Sequence, residues 1–161
     1  MRNNAKLRYQ LAQAQNPNNN NNTAAKPIID FGPSPITFDI SKATEGNEYY
    51  RRAIWTGENL QATLMSIKVG GEIGLEIHPS TDQFIRVEKG MGQVQMGKTK
   101  DNLTYVQPVF EDSAIFVPAG TWHNVVNMGN EELKVYTIYA PPHHPKGVIH
   151  VTKEQADREG D

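Results

Sequence analysis

From residue 48 onward the chain offers no apolar pattern long enough, at a period near 3.6, to build a long helix. Short runs punctuated by glycine, proline, asparagine or aspartate take its place: "EYYRRAIWT", "QATLMSIKV", "IGLEIH", "QFIRVEK", "GQVQMG", "YVQPVF", "SAIFVP", "WHNVVN" and "LKVYTIYA". Successive side chains of a strand face opposite sides, so runs of this kind bury their apolar faces only by packing against one another. Nine such runs with turn signals between them predict an all-β sandwich or barrel. In "QFIRVE" the face carrying Gln83 also carries Ile85 and Val87, so Gln83 is expected to point inward. With 161 residues the chain can bury one sizeable core, and a single domain over residues 27–161 is expected.

The N-terminal stretch has a different character. "AQAQNPNNNNNTAAKP" is low in complexity and holds too little apolar surface to offset the entropy of ordering it, so residues 1–26 are expected to form a flexible, Asn-rich arm. Leu7, Leu11 and Ala14 leave room for a short amphipathic helix within it. The arm holds Arg2, Lys6, Arg8 and Lys26 and no acid, so the formal net charge of -2 divides into +4 for the arm and -6 for the rest. A balance this close to neutral argues against nucleic acid or an anionic membrane as partner. No apolar run approaches a membrane span and the basic start is not followed by an apolar segment, so no secretory signal is expected. The chain has no cysteine, which removes disulfides, thiolate metal sites and a cysteine nucleophile, and a cytoplasmic location is expected. Near the other end, Thr152 and Gln155 stand at the spacing of a capping box and predict a short C-terminal helix.

Chemistry concentrates in "GLEIHPSTDQF", residues 74–84. On a strand, Gly74, Glu76 and His78 share one side. A second segment, "DSAIFVPAGTWHNVVN", runs from an apolar strand through a "PAG" turn into His123, with Val125 and Asn127 on the same side. From residue types alone three readings stay open: a divalent metal site, a hydrogen-bonded carboxylate–imidazole cluster in a polar pocket, and a wet outer face.

The two segments together resemble the paired motifs of the cupin superfamily, G-x5-H-x-H-x3-4-E-x6-G and G-x5-P-x-G-x2-H-x3-N. The first is matched by Gly70, Glu76, His78, Gln83 and Gly90, and the second by Asp112, Pro118, Gly120, His123 and Asn127, all at the motif spacing. The resemblance covers roughly residues 60–140, with the motifs at 70–127. It implies a double-stranded β-helix, or jelly-roll barrel, with a divalent metal held inside it by Glu76, His78, Gln83 and His123. Glu76 stands where histidine is usual, Gln83 where glutamate is usual, and Asp112 where glycine is usual. The substituted donor set keeps one negative charge but exchanges one nitrogen for oxygen, which favours manganese or iron and still admits zinc or nickel. Fewer than six protein donors leave positions for water or substrate.

The function expected from this resemblance is metal-dependent isomerase, lyase or oxygenase chemistry on a small polar molecule such as a sugar, sugar phosphate or organic acid, with Glu76 or a displaced water as proton acceptor. A non-catalytic binding or sensing cupin is the alternative. Open sheet edges favour a homodimer. His143 and His144 in "PPHHP", and His150, are expected to be solvated surface groups, although the resemblance also admits packing near the barrel mouth. Trp55, Trp122, Tyr136 and Tyr139 are expected to fill space between sheets. Alternation places Arg51, Arg52, Lys68 and Arg86 mostly on outer faces. Neither a phosphate loop nor a Gly-x-Ser-x-Gly turn is present.

Overall fold

A computed structural model of the protein describes residues 30–160; the expected arm and its short helix lie outside them. The described residues form nine strands: β1 (Arg51–Thr56), β2 (Gln61–Ile67), β3 (Asp82–Lys89), β4 (Met91–Gly97), β5 (Tyr105–Phe110), β6 (Ala114–Val117), β7 (Trp122–Asn127), β8 (Leu133–Ala140) and β9 (Ile149–His150). They also form two short helices, α1 (Ile40–Glu45) and α2 (Lys153–Glu159). The strands build a six-stranded sheet in the order β6-β3-β8-β2-β1-β9 and a three-stranded sheet in the order β5-β4-β7. Every pairing is antiparallel. This is the jelly-roll architecture that the sequence predicts, with its short C-terminal helix. Among the described residues no helix is long and apolar enough to cross a membrane.

The main core lies between the sheets, where Met65, Ile85, Val87, Val94, Val125 and Val135 pack together. β3 alternates as its sequence predicts: Gln83, Ile85 and Val87 point inward and are buried. Strand β2 is buried at every position. Its outer face carries Ala62 and Leu64, which are covered by a second cluster that includes Phe38 and Ala43. Residues before β1 therefore act as a lid on the back of the large sheet, and each of the two clusters removes apolar surface from water.

One predicted strand is not a ladder strand. "IGLEIH" makes one isolated bridge, Glu76 to His123, and Glu72 just before it makes another, to Val126. Gly74 between them has φ +102, a conformation outside the β region that ends regular pairing. The ninth strand is instead β9, which pairs with β1.

Asp112, where the motif usually has glycine, has φ 72. Aspartate is among the few residues that tolerate this left-handed region, and its carboxylate forms an ion pair with Arg86. The Thr152 side chain accepts a hydrogen bond from the Gln155 backbone N–H, and Gln155 Oε1 accepts one from the Val151 N–H at 2.9 Å. These bonds begin α2 where the sequence predicts it.

Candidate metal centre

The site is assembled by main-chain pairing. The Glu76 N–H donates to the His123 carbonyl at 3.0 Å and the His123 N–H donates back to the Glu76 carbonyl at 2.9 Å. Residues that exchange both bonds in an antiparallel pair present their side chains on the same side, so Glu76 and His123 meet. Two residues further on, the His78 carbonyl accepts from the Gly120 N–H at 2.9 Å, which ties this segment to the turn before β7.

Oε1 of Glu76 lies 3.3 Å from Nε2 of His78 and 3.3 Å from Nε2 of His123. One ligand atom from each residue lies within 4.8 Å of the other two. Donors held ~2.1 Å from one ion at tetrahedral or octahedral angles stand about 3.0–3.4 Å apart, and the two Glu76–histidine spacings fall in that range. The contacts are misaligned for hydrogen bonding: Glu76 Oε1, both ring nitrogens of His78 and Nε2 of His123 are buried without a hydrogen-bond partner. Buried polar atoms are normally paired, and three orphaned donors gathered within 4.8 Å of one another fit a bound cation. His123 Nδ1 lies 2.9 Å from the Thr121 carbonyl. A carbonyl only accepts, so Nδ1 carries the hydrogen and the neutral ring turns a lone pair on Nε2 toward the cluster, as a metal ligand requires.

Burial pushes the Glu76 carboxyl toward a higher pKa, but the imidazoles of His123 and His78 and the guanidinium of Arg51 outweigh it and hold the group below the usual carboxylate range. Glu76 is thus an anion. A cavity of about 550 Å³ opens beside the triad and is lined by Glu76, His78, Trp122, His143, Val148 and His150 among others.

Comparison with known proteins gives the family. The model of the family described as Cupin domain matches residues 63–139. The uncharacterised protein YrkC of Bacillus subtilis (strain 168) is 57% identical over 129 residues, covering 80% of this chain and 69% of its own. The chain belongs to the cupin family. The uncharacterised protein L612 of Acanthamoeba polyphaga mimivirus is 43% identical to this cupin over 123 residues, covering 76% of this chain and 75% of its own. The crystal structure of BH2720 from Bacillus halodurans superposes with a TM-score of 0.81 at 57% identity, covering 81% of this chain and 99% of that one.

Within this cupin, Glu76, His78 and His123 are brought together. Gln83 lies opposite Tyr139 of β8, whose ring packs edge-on against His78 at 5.6 Å. Its amide is buried and neither end of it has a hydrogen-bond partner.

Several residues depart from expectation. Arg51 does not face outward; it is 1% exposed and its Nη2 lies 4.0 Å from Glu76 Oε2. The reason lies in the register: Arg51 stands opposite Met65 of β2, a residue of the main core, and directly paired residues share a face. His150 of β9 pairs opposite Arg51, is buried, and contacts Glu159 at 3.0 Å. His144 is buried as well. Burial, with the Arg51 guanidinium adding to it, pushes its pKa down to about 2. His143 is exposed, as expected, but it is not free of the site: its ring centroid lies 4.0 Å from that of His78. Burial and the His78 ring lower its pKa too. Tyr139 is fully buried as expected, whereas Trp55, Trp122 and Tyr136 are half-buried.

Proposed function

We propose that this cupin holds one divalent metal ion on Glu76, His78, His123 and Gln83 and uses it to act on a small polar molecule. The substrates that suit such a site are sugars, sugar phosphates and organic acids, and the chemistries are isomerisation, lyase cleavage or, with iron, oxygenation. The observation that carries this reading is the convergence of three buried, unpartnered donors at a spacing that a single cation satisfies.

The chain's residues divide the work. His123 is oriented by the Thr121 carbonyl, and this favours a fixed ligand geometry before anything binds. Glu76 supplies the negative charge. A carboxylate held below its usual range is a weak base, so the ligand role suits Glu76 better than the proton-acceptor role expected from sequence. Gln83 offers a neutral oxygen donor of low affinity. A bound divalent ion would polarise a substrate oxygen or lower the pKa of a water. Leu75, Ile77, Pro145 and Val148 give the cavity an apolar side.

Protein loaded separately with manganese, iron, zinc and nickel should be assayed against sugars, sugar phosphates, keto acids and hydroxy acids. The proposal expects turnover with at least one metal in wild type and none in His123→Ala. Binding without turnover across the set would favour the sensing alternative.

A further inference from the structure

Gln61 opens β2 and is fully buried, although its side chain ends in a primary amide. Both ends of that amide engage the backbone of "PPHHP". Nε2 donates to the His144 carbonyl at 2.9 Å, and Oε1 accepts from the N–H groups of His144 at 2.9 Å and His143 at 3.3 Å. Nε2 also donates to Thr56 Oγ1 at 3.0 Å. Thr56 in turn donates to Asp30 Oδ2, which accepts from the Gly147 N–H at 3.0 Å. One polar chain from Asp30 through Thr56 to Gln61 thus fastens the loop at both ends. A buried amide whose donors and acceptors are all engaged fixes one arrangement of its partners.

The loop held in this way carries His143 to the cavity. Its imidazole packs against His78 and stacks on Tyr139 at 5.8 Å between ring centroids. It lines the same cavity as Glu76 and His78, yet it is not among the three residues whose ligand atoms converge. An imidazole beside a metal centre, outside the converging donors and open to the cavity, is placed to hydrogen-bond whatever occupies the metal's remaining positions.

We propose that His143 contacts the exogenous ligand of the metal centre through a hydrogen bond to its oxygen, and that Gln61 is the residue that positions it. The assignment rests on the metal reading above. It adds a contact from outside both cupin motifs, set by a residue that touches neither metal nor ligand.

The test uses the full chain loaded with cobalt(II) and titrated with acetohydroxamate, a small chelator with two oxygen donors, followed by the visible cobalt bands. His143→Ala should bind cobalt as tightly as wild type, within about twofold, and bind acetohydroxamate about tenfold more weakly, the scale of one lost charge-assisted hydrogen bond. Gln61→Met keeps the volume and removes both polar ends; it should weaken acetohydroxamate to the same degree, and the double variant should be no weaker than either single one. Trypsin provides a readout independent of metal: the Lys146–Gly147 bond should be cut at least about tenfold faster in Gln61→Met than in wild type. An unchanged acetohydroxamate affinity in His143→Ala overturns the contact. A loss of cobalt affinity in that variant also overturns it, by making His143 a metal ligand. Equal cleavage rates overturn the positioning role. Wild type that takes up no cobalt sinks the metal reading and the ligand contact with it, while the trypsin result still decides whether Gln61 holds the loop.

Discussion

Nε2 of His123 lies 3.3 Å from Oε1 of Glu76 while Nδ1 of the same ring is committed to the Thr121 carbonyl. In the neutral ring two lone pairs face one another at that separation, and they repel unless a cation lies between them. The main-chain exchange between Glu76 and His123 sets the two groups beside one another, so their placement comes from the fold itself.

Replacing Glu76 with glutamine tests the charge rather than the shape. The variant should fold and should lose metal affinity by at least ~100-fold, because even partners one shell further out typically account for 10–100-fold. Competition against a chromophoric chelator gives the number, and an affinity within a factor of three of wild type would remove Glu76 from the ligand set.

Arg51 is buried beside Glu76, so Arg51→Met should destabilise the metal-free protein by about 3 kcal/mol, the scale for breaking a buried pair from one side. A divalent ion beside the carboxylate replaces part of the missing positive charge. Saturating metal should therefore raise the melting temperature more in Arg51→Met than in wild type. Equal shifts would show that Arg51 and the metal do not share Glu76.

Acid should weaken the metal-free protein from the histidine range downward. An unfolded chain takes up a proton on His144 near the ordinary value of 6.5, whereas in the folded protein burial and Arg51 push it down to about 2. Its contribution to stability is complete above pH 6.5 and is lost as pH falls below that, by up to ~1.4 kcal/mol per pH unit. His143 is shifted in the same direction. Glu76, held below its usual 4.5, adds a further loss only below that pH. Urea unfolding in the presence of chelator should show lower stability at pH 5.5 than at pH 7.5, with a smaller difference in His144→Gln. Equal stabilities at the two pH values would contradict this assignment.

At Asp112 two small effects oppose one another. Glycine relieves the left-handed backbone at about 1 kcal/mol, and it removes an exposed ion pair with Arg86 worth at most about 1 kcal/mol. Asp112→Gly should therefore leave stability within about 1 kcal/mol of wild type, whereas Asp112→Val, a β-branched residue at φ 72, should cost at least ~1 kcal/mol. Chemical denaturation of the two variants decides it, and a valine variant as stable as wild type would refute the backbone argument.

The alternation of short runs made the sheets and the inward face of β3 legible in the sequence, because each strand answers to its own neighbours two residues away. The motif spacings led to Glu76, His78 and His123 for a similar reason: one turn and one bridged pair bring them together. Arg51, Gln61 and His150 were not legible. Arg51 faces inward through its register with β2, His150 is buried where β9 joins the sheet more than ninety residues after β1, and Gln61 where a loop docks against β2 across 83 positions. A two-residue strand carries almost no periodicity, and a glutamine that clamps a backbone looks like any polar residue at the end of a strand. Gly74 is the opposite case: its run alternates like a strand, and the positive φ at one residue undoes it.

The most direct measurement is the metal content of protein purified without chelator, by elemental analysis, for wild type and His123→Ala. The account predicts close to one divalent transition-metal ion per chain in wild type and a small fraction of that in the variant. Negligible metal in wild type, even after reconstitution with manganese, iron, zinc and nickel, would contradict it.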